Sequence, residues 1–162
     1  MIQDDIQGII QQGQTAPAFS VADQEGRQVS SADFTGSRNI VLYFYPKDDT
    51  PGCTIEANQF TALIDEFAAA DTVVLGVSKD DCASHRNFID KFGIRFALLA
   101  DVDGKLCEDY AVWQEKEKDG VKKMGIVRST FIIDKQGIVR RAEYAVSPDG
   151  HAQDVLAFIR QL

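Results

Sequence analysis

No apolar run in the sequence approaches the roughly 18 residues that a membrane-spanning helix needs. Cysteine is scarce as well. Three residues, Cys53, Cys82 and Cys107, are widely spaced and odd in number. That is a poor disulfide framework, and it suits a reducing compartment. Two histidines in the whole chain leave little for a metal site built on imidazole. Basic residues are outnumbered, 17 Lys and Arg against 25 Asp and Glu. The net charge of −8 argues against nucleic acid and anionic membranes as main partners, although it leaves room for a local basic patch. The start, Met1-Ile2-Gln3-Asp4-Asp5, lacks the basic and then apolar character of a secretory signal. A cytoplasmic location is the expectation.

What is present suits one domain. At 162 residues the chain can bury about 70% of its unfolded surface. Hydrophobic content of 44% and charged content of 26% are ordinary for a soluble globular protein. Residues 1–12 carry Ile2, Ile6, Ile9 and Ile10 at helical spacing, so an N-terminal helical extension is expected there. The stripe would pack on the domain or meet another subunit. Residues 13–162 form the expected domain.

Asn39 to Tyr45 and Thr72 to Val77 are nearly continuous apolar, β-branched and aromatic runs, as in parallel strands covered on both faces. Thr54 to Ala70 places apolar residues at helical intervals between them, completing a βαβ unit. Further helices are expected over Asp81 to Phe92, Gly104 to Val112 and His151 to Leu162. Ser129 to Asp134 and Ile138 to Tyr144 read as an antiparallel hairpin, and Ala18 to Val29 as a second one. The charge-rich stretch Gln114 to Lys123 is expected to be an exposed loop or hairpin. These elements make a three-layer α/β domain with a mixed central sheet and an N-terminal hairpin.

The loop Tyr45 to Thr54 joins the first buried strand to its helix, and open α/β sheets place their chemistry at such strand ends. Thr50 fits an N-cap and Pro51 the first helical position, which puts Cys53 third in the helix. Partial positive charge and free N–H groups in a first turn favour thiolate over thiol. In general, moving a thiol from a pKa of about 8.5 to about 6 raises its ionised fraction at neutral pH roughly 30-fold. That factor alone is far short of an enzymatic acceleration. The remainder needs donors that orient the reacting bond and stabilise the departing oxygen. Thr50, loop N–H groups and the fork of Arg128, which precedes the strand from Ser129, are the candidates. Glu56, one turn beyond Cys53, would either orient Arg128 or stand as a solvated carboxylate.

The segment Pro46-Lys47-Asp48-Asp49-Thr50-Pro51-Gly52-Cys53 matches the P-x-x-x-T-x-x-C motif of peroxiredoxins. With Tyr43-Phe44-Tyr45, Ala16-Pro17-x-Phe19, Gly76-Val77-Ser78, Ser84-His85 and Arg128 to Asp134, the chain resembles the PrxQ, or bacterioferritin comigratory protein, branch. The resemblance implies a thioredoxin-like fold and a thiol peroxidase acting on hydrogen peroxide and organic hydroperoxides. It also implies that Cys53 becomes a sulfenic acid, that Thr50 and Arg128 bind and activate the peroxide, and that Pro46 shields the sulfur. The reductant would be thioredoxin, glutaredoxin or a low-molecular-weight thiol. No cofactor and no metal are implied. Members of the branch are often monomers, and the N-terminal extension leaves room for a dimer.

One departure matters. The positions where the branch places its resolving cysteine are Asn58 and Ile89 here. Either an external thiol reduces the sulfenic acid directly, or Cys82, two turns before Ile89, resolves it. Cys107 reads as a small buried residue. Cys82-Ala83-Ser84-His85 has the spacing of half a metal site, without a second half nearby. Two competing functions are a thiol-disulfide oxidoreductase and a redox-sensing or holdase module. The first needs C-x-x-C, where this chain has Thr50, and the second has no dedicated feature.

Overall fold

The computed structural model describes residues 8–162. Four buried strands carry the apolar runs: β3 (Asn39–Phe44), β4 (Thr72–Ser78), β5 (Ala97–Ala100) and β8 (Ser129–Ile133). With β9 (Val139–Tyr144) they form a five-stranded sheet in the order β5-β4-β3-β8-β9. β3, β4 and β5 are parallel, whereas β8 pairs antiparallel with both β3 and β9. The expected mixed sheet is therefore present, with one strand more than the sequence reading named. β5 is only four residues of Ala and Leu, without the β-branched residues that mark a strand.

Alternation along β3 divides the core. Val41 and Tyr43 face one side with Cys53, Phe60, Phe88 and Leu156, while Ile40, Leu42 and Phe44 face the other with Leu106, Tyr110 and Phe131. The first side is covered by α1 (Pro51–Ala62), α2 (Ile64–Ala69), α3 (Cys82–Phe92) and α5 (His151–Ile159). The second is covered by α4 (Lys105–Asp109) and by the N-terminal hairpin β1 (Ser20–Ala22) and β2 (Gln28–Ser30). Emptying the Phe60 site with alanine would cost about 3–5 kcal/mol.

The single helix expected from Thr54 to Ala70 is two. Leu63 leaves helical geometry (φ −106°, ψ 6°), and its N–H bonds back to Phe60 O, which turns Phe67 onto the core. The helix expected over Gly104 to Val112 is shorter, because Ala111 takes a left-handed φ of 58° just beyond it. α5 stops three residues short of the chain end. The charge-rich stretch is a hairpin of β6 (Trp113–Lys118) and β7 (Val121–Ile126), turned by Asp119 and Gly120, both at positive φ.

The helical extension expected over residues 1–12 falls mainly on residues outside those described. Of its described part, residues 8–12 are not helical, and Ile10 is buried with its N–H bonded to Tyr144 Oη. Among the described residues, no helix is long and apolar enough to cross a membrane.

Candidate active site

α1 starts as its sequence requires. Thr50 is the extended N-cap residue, Pro51 occupies the first helical position and Cys53 the third. The Thr50 hydroxyl does not cap the helix. It donates to Lys47 O at 2.8 Å, folding the loop back on itself. Cys53 is 1% exposed, buried in the cluster that holds Tyr43, Tyr45 and Phe60.

Arg128 reaches this sulfur from the segment between β7 and β8. Its Nη2 is 3.4 Å from Cys53 Sγ, and its Nη1 is 2.7 Å from Glu56 Oε1. The guanidinium thus spans one turn of α1, holding both the sulfur and the carboxylate. Gly52 makes room for it, since a Cβ there would lie 3.1 Å from Nη2. Glu56 is not the solvated carboxylate of the alternative reading. It is fully buried, and burial outweighs the attraction of Arg128 to push its carboxyl up to about 7. Its Oε2 and the buried Tyr43 hydroxyl have no hydrogen-bond partner among the described residues. Burial, then the charges of Glu56 and Cys53, raise the Tyr43 phenol well above its ordinary range.

A second cluster fastens the loop. The Asp48 carboxylate accepts from Tyr45 Oη at 2.5 Å, and from Ser84 Oγ and His85 Nδ1, both at 2.8 Å. On the other side of the ring, His85 Nε2 is 2.9 Å from Leu99 O. The imidazole is thus held on both sides, by the Asp48 carboxylate and by the Leu99 carbonyl. Asp48 N–H donates to Asp80, which also receives Ser78 Oγ–H. The loop is therefore bound to the start of α3 and the end of β4 through buried Asp48, Tyr45, His85 and Ser78 and half-buried Ser84 and Asp80. Gly76 is needed beside them, because a Cβ there would come within 2.8 Å of Leu98 and 3.1 Å of Tyr43.

The other cysteines differ. Cys82 opens α3, half-buried, beside Asp81, whose carboxylate caps Ser84 N–H at 2.8 Å. His85, its partner in the C-x-x-H spacing, has both nitrogens engaged elsewhere. Cys107 packs on the opposite face of the sheet from Cys53, and burial, reinforced by Asp101, drives its thiol far above the ordinary range. Asn58 is exposed, and Ile89 is buried in the cluster that holds Cys53. Of the residues the sequence singled out, the structure brings Arg128 onto Cys53, with Thr50 at the start of the same helix and Pro46 in the loop before it. Sequence reasoning missed Asp48 as an anchor and left Glu56 undecided, although the spacing of Glu56 three residues after Cys53 put both on one helix face.

The family model described as the AhpC/TSA family matches residues 12–142. The chain is 43% identical to a putative peroxiredoxin bcp of Coxiella burnetii, over 91% of this chain and 97% of the relative. It is 40% identical to peroxiredoxin Bcp of Bacillus subtilis, over 94% and 97%. Among solved structures, Xanthomonas campestris peroxiredoxin Q superposes with a TM-score of 0.83 at 41% identity, covering 88% of this chain and 90% of that one. A cysteine-to-serine variant of Xylella fastidiosa PrxQ superposes with a TM-score of 0.88 at 35% identity, covering 94% and 96%. With a thioredoxin-like fold, a first-turn cysteine under an arginine fork, and these likenesses over most of its length, the chain belongs to the peroxiredoxins, thiol peroxidases of the AhpC/TSA family, in their Bcp/PrxQ branch.

Proposed function

We propose that Cys53 reduces hydrogen peroxide and organic hydroperoxides and is returned to the thiol by an external reductant without help from a second cysteine of the chain. The observation that carries the reading is the 3.4 Å approach of Arg128 Nη2 to Cys53 Sγ, fixed from behind by buried Glu56. A guanidinium so placed favours negative charge on sulfur and then on the oxygen that leaves. The Cys53 thiolate attacks the terminal oxygen of the hydroperoxide. A sulfur–oxygen bond forms, the O–O bond breaks, and the departing oxygen takes a proton to become an alcohol or water. Arg128 donates to the sulfur and the departing oxygen. Thr50 Oγ1 accepts from the attacked O–H, its own hydrogen being committed to Lys47 O. Pro46 keeps water from the sulfur. Work on a Xanthomonas campestris relative concerns alkyl peroxide reduction, which supports the organic substrates.

The Cys53 sulfenic acid then reacts with two thiols of thioredoxin, glutaredoxin or a small thiol, giving water, a disulfide and the restored thiol. The one-cysteine route is favoured by the anchoring of α3. Cys82 lies within three residues of Ser84 and His85, which are held by buried Asp48, so bringing it to Cys53 means breaking those hydrogen bonds. The test is peroxide consumption with dithiothreitol, parent against Cys53→Ser. The serine variant should be inactive, and one that consumes peroxide at the parental rate removes the reading.

A further inference from the structure

Beside the site, Lys47, Lys79, Lys116, Lys118 and Lys123 line one groove of about 530 Å³ that begins at Pro46. Of the remaining lysines, Lys91, Lys105 and Lys135 each have a carboxylate partner, and Lys122 lies outside the groove. Among the described residues the five groove lysines form no salt bridge, in a chain whose net charge is −8. Lys116, Lys118, Val121 and Lys123 share one face of the β6–β7 hairpin through the pairs Lys116–Lys123 and Lys118–Val121. Like charges so placed repel.

The floor is apolar. Val121 is 65% exposed and Met124 46%, and Lys79 Nζ stands 4.1 Å over the Trp113 ring. Exposed Met124 and half-buried Trp113 with a charged rim suit a protein-binding surface. The positive field continues inward. Lys116 donates to Ile126 O at 2.8 Å, and burial, then nearby Arg128, lowers its pKa. A partner seated here meets cations from the rim to the reactive sulfur.

We infer that this groove docks an acidic dithiol protein that reduces oxidised Cys53, an inference that rests on the reading of Cys53 above. Charge complementarity selects the acidic partner, and cations spread over two strands and two neighbouring loops match a protein face better than a single small anion. One partner thiolate attacks the sulfenic sulfur and displaces hydroxide, which leaves as water after taking a proton. The second partner thiol attacks the partner's own sulfur in the mixed disulfide, releasing Cys53 and leaving the partner's disulfide. Two electrons pass from the dithiol to Cys53.

The experiment compares the parent with the double variant Lys118→Glu/Lys123→Glu, two exposed positions away from Arg128 and Cys53. Turnover of hydrogen peroxide is followed with dithiothreitol and, separately, with an acidic thioredoxin recycled by its reductase. The dithiothreitol rates should agree. With thioredoxin the variant should lose about tenfold or more in kcat/KM, and the fall in the parental rate from about 20 to about 200 mM salt should vanish. Equal thioredoxin rates would overturn the docking role. So would a variant that, with dithiothreitol, is slowed selectively toward a carboxylate-bearing hydroperoxide over a neutral one of equal size, because the groove would then be a substrate site. A parent unable to turn over with dithiothreitol would instead defeat the Cys53 reading on which the docking depends.

Discussion

Glu56 sits one turn beyond Cys53 with no solvent exposure, its Oε1 2.7 Å from Nη1 of Arg128. The carboxylate fixes one arm of the fork while the other arm faces the sulfur. Arginine is needed at position 128 because the two acceptors lie on successive turns of α1 and must be reached at once.

Lysine would keep the positive charge at position 128 and lose the fork. An ammonium held by Glu56 no longer faces Cys53 with a second donor. Arg128→Lys is expected to lower kcat/KM for hydrogen peroxide by about 10²-fold, the scale of removing one aligned donor. Stopped-flow measurement of the peroxide step tests this, and a loss of less than threefold would show that charge alone suffices.

Glu56 and His151 should impose opposite pH dependences on stability. Glu56 is raised from 4.5 to about 7, mainly by burial. The folded state keeps a proton that the unfolded chain has lost, so this contribution is full below pH 4.5 and lost as pH rises through 7. His151, whose Nε2 is 2.8 Å from Thr130 Oγ1, is lowered from 6.5 to about 4 by burial. Its contribution is full above pH 6.5 and lost as pH falls through 4. Each is worth about 3 kcal/mol, and between pH 4.5 and 6.5 they largely cancel. Urea unfolding across this window should show stability rising with pH in Glu56→Gln and falling with pH in His151→Gln. Parallel slopes in the two variants would refute the assignment.

How much of this was legible in the sequence depends on the kind of signal. The runs Asn39 to Tyr45 and Thr72 to Val77 announced central strands because burial on both faces demands continuous apolar residues. The place of Cys53 in the first turn of α1, after Thr50 and Pro51, was legible because N-cap residue, proline and helix start are local. Arg128 needed the family resemblance, since nothing near it in sequence says which side chain it meets. Leu63, which splits the expected long helix, is an ordinary helix former, and tertiary packing overrode its propensity. Asp48 and His85 are 37 residues apart, and no local pattern joins them.

Cys107 should be silent in chemistry and modest in energetics. It is fully buried on the far face of the sheet. Cys107→Ala is expected to keep the parental peroxidase rate and to cost about 1 kcal/mol in unfolding free energy. In the parent, Cys107 should resist alkylation until urea unfolds the chain. Labelling at the rate of half-buried Cys82 would contradict the packing.

Asp48→Asn should change which cysteine chemistry the protein performs. The amide keeps the shape of the side chain and replaces the carboxylate oxygen that faces His85 Nδ1 at 2.8 Å within a buried cluster. The loop from Pro46 to Thr50 and the first turn of α3 then lose their shared anchor, and Ser84 and Tyr45 keep only a weaker acceptor. Stability should fall by about 2 kcal/mol, and alkylation of Cys53, now 1% exposed, should accelerate as the loop opens. Freed of the anchor, Cys82 gains a path to the oxidised sulfur. Mass spectrometry of peroxide-treated protein should find a sulfenic or overoxidised Cys53 in the parent and a Cys53–Cys82 disulfide in Asp48→Asn. A disulfide already formed in the parent would mean that the anchor yields during turnover, and Cys82 would then be the resolving cysteine.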